Sequence, residues 1–159
     1  MTSATNGPER NGIPVQEWQE AYPVPRSNPR SISPSDVLHL VKSGNSSAFV
    51  LVDLRRDDYE GGTISGALNL PAQSIYTALP SLYRLFIGAG VERVIWYCGS
   101  SVHRGYWAAG WFDDYLDEQK DTTMQSLKLS GGIKDWVAGG DEYVACMQEY
   151  DALKWQSSP

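Results

Sequence analysis

Val94-Ile95-Trp96-Tyr97-Cys98-Gly99-Ser100-Ser101-Val102-His103-Arg104-Gly105 is the stretch from which the fold can be read. Residues 94–97 form an unbroken apolar run, the mark of a strand buried on both faces of a parallel sheet. The run ends in a cysteine. Small and polar residues follow, and then Gly105, Ala108, Ala109, Phe112 and Leu116 recur at three- and four-residue steps, with Trp107, Trp111 and Tyr115 as a second apolar stripe. A helix is therefore expected over residues 101–118. Strand, tight loop and helix together place a side chain at the carboxyl edge of an open α/β sheet, where such folds keep their sites.

The flanking segments repeat this alternation. Ser33 as N-cap, Pro34 at the first helical position and Asp36 in the first turn start a helix that Gly44 stops. Phe49-Val50-Leu51-Val52 is a second buried run and ends at Asp53. A loop over 55–66 leads to a short strand at 67–70, then a helical pattern over 74–89 that Pro80 divides. Residues 126–129 read as another strand, followed by Gly131-Gly132 and a short helix through Trp136. Residues 141–155 read as a final helix carrying Tyr143, Cys146, Met147, Tyr150 and Leu153 at helical spacing. Strands alternating with helices imply an α/β fold, a parallel sheet covered on both faces.

Five of the nine prolines (Pro8, Pro14, Pro23, Pro25 and Pro29) precede residue 30, which bars a regular helix or central strand there. Residues 1–12 read as disordered and 13–30 as an extended strap pinned by Trp18 and Tyr22. The chain thus divides into a Pro-rich tail or strap over 1–31 and a folded catalytic domain over 32–156.

At 159 residues the chain has the length of one domain. Its apolar runs are strand-sized, so no membrane span is expected, and no basic-then-apolar leader opens it. A cytoplasmic location follows, the nucleus being equally compatible. A net charge of −6 argues against a nucleic-acid partner. Two histidines and two cysteines, Cys98 and Cys146, supply neither a zinc cluster nor a disulfide framework, so no metal is expected.

The loop after residues 94–97 carries the chemistry. Backbone N–H groups of a strand-to-helix loop converge on one spot, which the positive end of the helix also faces. Thiols held in such places are commonly ionised near neutral pH, hence nucleophilic. Arg104 follows Cys98 after five residues, and its planar guanidinium, folding back, can hold two oxygens of a tetrahedral anion. Cys98 and Arg104 are the expected catalytic pair, with Gly99, Ser100, Ser101, Val102 and His103 as the oxyanion-binding loop. The plainer alternative makes Cys98 a buried spacer and Arg104 an ordinary surface residue.

Three segments together resemble the rhodanese superfamily. They are Asp53-Leu54-Arg55 with Asp58-Tyr59-Glu60-Gly61-Gly62-Thr63-Ile64-Ser65-Gly66-Ala67-Leu68-Asn69-Leu70-Pro71, the Cys98 loop, and Leu129-Ser130-Gly131-Gly132-Ile133-Lys134-Asp135-Trp136. The resemblance covers residues 33–150 and implies a single rhodanese-like domain with a central, mostly parallel five-stranded sheet and helices on both faces. Gly61, Gly62 and Gly66 permit tight turns, and Asp53 with Arg55 reads as loop support, more structural than catalytic.

Sulfurtransferases of the superfamily have a six-residue loop. Its cell-cycle phosphatases and eukaryotic arsenate reductases have a seven-residue loop ending in arginine, sized for a tetrahedral oxyanion. Counting Cys98 as one, Arg104 is the seventh residue, and Tyr59-Glu60-Gly61-Gly62 also resembles the phosphatase and reductase branch. The chain departs from that branch at Tyr97 and Thr63, where histidines are usual, and the loop holds no acid to assist a leaving group. The resemblance therefore implies, first, an arsenate reductase using glutathione as co-substrate and glutaredoxin as partner, with no bound cofactor. A tyrosine, dual-specificity or small-phosphoester phosphatase comes second, and a thiosulfate sulfurtransferase or non-catalytic binding module third. His103 either protonates a leaving group or points to solvent. Cys146, on the expected final helix, reads as a small hydrophobe of the core rather than a resolving thiol, and Trp107, Trp111 and Trp136 as core.

Overall fold

A computed structural model describes residues 9–10, 13–14, 17–45 and 48–156 of the chain. The expected disorder over residues 1–12 falls largely outside the described residues, but β1 (Glu9–Arg10) pairs antiparallel with β2 (Ile13–Pro14). A 3₁₀ turn (Glu17–Ala21) leads to an extended segment and β3 (Arg30–Ile32). Then come α1 (Pro34–Lys42), β4 (Phe49–Asp53), β5 (Thr63–Ile64), β6 (Leu68–Asn69), a 3₁₀ turn (Ala72–Ser74) and α2 (Ile75–Gly88). The second half is β7 (Arg93–Tyr97), α3 (Arg104–Glu118), β8 (Gln125–Leu129), α4 (Gly132–Ala138), α5 (Asp141–Val144), β9 (Met147–Gln148) and α6 (Ala152–Gln156).

Five strands form one sheet in the order β3-β8-β7-β4-β6, every neighbouring pair parallel. The register puts Asp53 beside Tyr97, so β4 and β7 deliver their last residues to one edge together. Alternation along β7 feeds two cores. Val94 and Trp96 pack under α2 and α3 with Leu79, Phe86, Phe112 and Leu116, while Ile95 and Tyr97 face α1 and α4 with Val37, Leu129, Ile133 and Trp136. The sheet is thus covered on both faces.

The helix expected over 101–118 begins at Arg104. Ser101 takes φ +61, outside the helical region, because residues 98–103 turn back over the strand end. Pro80 does not divide α2. It removes one backbone bond, but the helix runs through it because Ile75 and Leu79 before it, and Leu82 and Phe86 after it, are buried on one face.

The final helix expected over 141–155 does not form. α5 is one turn, and β9 pairs antiparallel with β5 (Thr63↔Gln148, Ile64↔Met147) before α6 begins. Backbone groups of the 61–66 loop need partners more than the apolar spacing needs a helix. Ser65 N–H donates to Cys146 O (2.9 Å) and Trp155 Nε1 to Gly61 O (2.8 Å). Leu153, 74 % exposed, belongs to no buried stripe. Cys146 is half-buried against the α1–α4 core, on a turn and not a helix.

The strap lies against α3. Trp111 Nε1 donates to Pro23 O (2.8 Å), Ser27 N–H to Asp114 Oδ1 (2.9 Å), and Trp18 and Tyr22 meet the Trp111 ring edge-on. β3 then joins the sheet beside β8, so the expected boundary between residues 31 and 32 falls inside a strand of the sheet. Among the described residues no helix is long and apolar enough to cross a membrane.

Candidate active site

Cys98 follows β7 at the sheet edge, its side chain buried (2 % exposed) at the floor of the loop. Ser101 N–H donates to its sulfur at 3.1 Å. The loop closes onto α3, whose first-turn N–H groups have no intrahelical partner. α4 fastens the loop from the other side, with Ile133 N–H donating to Cys98 O (3.0 Å) and Lys134 N–H to Gly99 O (3.1 Å). The approach requires glycine at residue 132. Its φ is +60°, and a Cβ there would stand 2.5 Å from Cys98 O and 2.6 Å from Gly99 O. Gly132→Ala is therefore expected to lower stability by at least about 2 kcal/mol and turnover by at least about tenfold, through strain and a displaced loop. Denaturant unfolding and steady-state rates read both.

Cys98, Ser100, His103 and Arg104 line one open depression with Trp18, Arg56, Asp57, Asp58 and Gln73. Val102 points outward, 54 % exposed. Arg104 lies beside the Cys98 sulfur, and its terminal nitrogens are engaged. Nη1 donates to Asp58 Oδ1 (2.7 Å) and Nη2 to Asp58 Oδ2 (2.6 Å). This hydrogen bonding, aided by the adjacent Cys98 sulfur, raises the Arg104 pKa, and the same pair holds the Asp58 carboxyl below its usual range. Asp58 stands 46 residues from Arg104 in sequence. Asp58 opens the stretch over 58–71 that resembles the family's first signature, but nothing in the sequence assigned it a role at the Cys98 loop.

Asp53 and Arg55 do not reach the depression. They form a buried ion pair behind it, with Arg55 Nη2 on Asp53 Oδ2 at 2.8 Å and Nε on Oδ1 at 3.0 Å. Burial alone would lower the Arg55 pKa, but the bond and charge of Asp53 outweigh it and the net shift is upward. Arg55 also donates to Glu60 O (3.0 Å) and Gly62 O (2.7 Å), fixing the loop that presents Asp58. The two departures from the family pattern meet here. Thr63 Oγ1 lies 2.7 Å from Tyr97 Oη and donates to Asp53 Oδ2 (2.8 Å). Burial, then the charge of Asp53, pushes the Tyr97 hydroxyl pKa upward, so it serves as a neutral hydrogen-bonding tether.

A parallel sheet with a cysteine at its carboxyl edge, in a loop that α3 and α4 hold from two sides, defines an α/β domain with one buried thiol at the mouth of its sheet. The rhodanese-like domain matches residues 33–139, and the chain belongs to that family. Arsenical-resistance protein 2 of Saccharomyces cerevisiae is 32 % identical over 95 residues, 55 % of this chain and 73 % of that one. The solved structure of Saccharomyces cerevisiae Ygr203w, a homologue of single-domain rhodanese and of the Cdc25 phosphatase catalytic domain, superposes with TM-score 0.68 at 25 % identity over 82 % of this chain and 94 % of that one. The As-Sb reductase of Leishmania major shares the fold, with TM-score 0.61 at 20 % identity over 66 % and 74 %.

Proposed function

We propose that the chain is a cysteine-thiolate enzyme acting on a tetrahedral oxyanion, and specifically an arsenate reductase. The observation that carries it is the Cys98 sulfur at the floor of a seven-residue loop with Arg104 folded back toward it. The likeness to a yeast arsenical-resistance protein supports the choice of oxyanion. Cys98 attacks arsenic and an arsenate oxygen leaves as water. In this reading loop amides and Arg104 carry the negative charge, and His103, which lines the depression, gives the leaving oxygen a proton. One glutathione thiolate attacks the Cys98 sulfur of the adduct, the sulfur–arsenic bond breaks with its electron pair passing to arsenic, and arsenite leaves a Cys98–glutathione disulfide. A second glutathione, through glutaredoxin, reduces that disulfide, so that two thiols end as glutathione disulfide and Cys98 returns as the thiolate. Arsenite production from arsenate with glutathione and glutaredoxin is the expected result. No turnover in their presence overturns the assignment.

A phosphatase is the second reading, favoured by one observation. That observation is the likeness, at 25 % identity, to Ygr203w as a homologue of the Cdc25 phosphatase catalytic domain. Against it, Asp58 at the mouth is held ionised by Arg104 and cannot protonate a leaving group. Hydrolysis of an aryl phosphate, abolished in Cys98→Ser, selects this reading if arsenate is inert. A persulfide on Cys98 after thiosulfate treatment selects a sulfurtransferase instead.

A further inference from the structure

We propose that Asp58 makes the Cys98 cradle selective for tetrahedral oxyanions that carry a proton. This rests on the oxyanion reading of the loop and names which oxyanions the loop takes.

The Ser101 N–H and the Arg104 guanidinium bring donors to the cradle. Two carboxylates line it with them, but the Asp57 side chain is 91 % exposed and turned to Arg56 at 3.6 Å, so Asp58 is the acceptor held against Arg104. Around the point where a side chain of residue 99 would begin, Arg104 Nη2 lies 3.8 Å away, Asp58 Oδ2 3.9 Å and Lys134 Cε 3.9 Å. A carboxylate oxygen thus shares with two cations the space that Gly99 leaves open above the loop. The Asp58 pairing is end-on and takes one hydrogen from each terminal nitrogen of Arg104. The other guanidinium hydrogens lie outside that pair, one of them toward the Cys98 sulfur, and an oxyanion that accepts from them lies alongside the Asp58 oxygens.

A carboxylate only accepts. It repels a bare oxyanion oxygen, and it accepts a charge-assisted hydrogen bond from one that carries hydrogen. Inorganic arsenate and phosphate retain one proton in mildly alkaline solution. Sulfate, thiosulfate and phosphoester dianions retain none there, a phosphoester losing its last proton near a pKa of about 6. The same residue therefore turns the cradle toward inorganic arsenate and away from the substrates of both rival chemistries.

The test uses the full chain and no turnover. Iodoacetamide alkylation of Cys98 is followed by peptide mass at about pH 8 and constant ionic strength, with Cys146 as the internal reference, while phosphate or sulfate is added. In the wild type, half-protection by phosphate is expected at a concentration at least about tenfold below that for sulfate. Asp58→Asn, whose amide can donate to a bare oxygen, is expected to bring the two ions within about twofold, and Asp58→Glu to restore the preference. Equal protection by both ions in the wild type overturns the proposal and leaves the cradle standing. A preference unchanged in Asp58→Asn, with both ions merely weaker, also overturns it and leaves Asp58 a support for Arg104. Protection by neither ion removes the oxyanion site itself, and the selectivity with it.

Discussion

Replacing Cys98 with serine is expected to lower arsenate turnover by roughly 10³- to 10⁶-fold while leaving the fold intact, because a lost nucleophile removes the step on which the other groups act. The hydroxyl is close in size to the thiol and can still accept the Ser101 N–H, now 3.1 Å from the sulfur, so the loop keeps its contacts. What goes is the ionisable sulfur. Cys146→Ser is expected to change turnover by less than about twofold, since Cys146 packs against the α1–α4 core away from the Cys98 depression. Steady-state rates and thermal melts of the two variants decide the matter. A Cys98→Ser protein that still makes arsenite at more than a few per cent of the wild-type rate would move the chemistry off this loop.

The second large effect is on stability. Arg55→Met is expected to cost roughly 3–5 kcal/mol, because it leaves the Asp53 carboxylate buried without its partner. Both side chains are almost fully enclosed, and Arg55 meets Asp53 through three bonds of 2.8–3.2 Å. It also satisfies the carbonyls of Glu60 and Gly62, which lose their donor in the same variant. Asp53→Asn combined with Arg55→Met is expected to cost less than the sum of the single changes, since the remaining amide carries no charge. Denaturant unfolding measures each corner of that cycle. An additive result would mean that the pair contributes nothing beyond its separate packing. The single variant should also weaken oxyanion binding, as the loop it frees is the one that presents Asp58 to Arg104.

Continuous apolar runs such as 94–97 and Phe49-Val50-Leu51-Val52 could be read directly as strands because burial on both faces leaves no room for polar alternation. The start of α1 was legible for a local reason as well: Ser33 accepts the Asp36 N–H at 3.1 Å, a contact spanning three residues. The C-terminal segment was not legible. Its apolar spacing suits a helix, but the pairing of β9 with β5 joins residues more than 80 apart, and no pattern within 141–155 records it. Pro80 misled in the opposite direction, because burial on either side outweighs one missing bond.

The sequence by itself determined the strand, loop and helix that carry Cys98 and Arg104. A buried strand ending in Cys98, small residues after it, a helix bearing Arg104 and the Gly131-Gly132 pair are local facts, each written within a few residues. Tertiary structure alone decided what Arg104 faces. Its terminal nitrogens are held by Asp58, brought there by a loop that the buried Asp53–Arg55 pair folds and the Thr63–Tyr97 contact anchors to β7. Charge acts through space and not along the chain. A carboxylate 46 residues distant can therefore set the electrostatics of a site whose sulfur, amides and guanidinium all lie within seven.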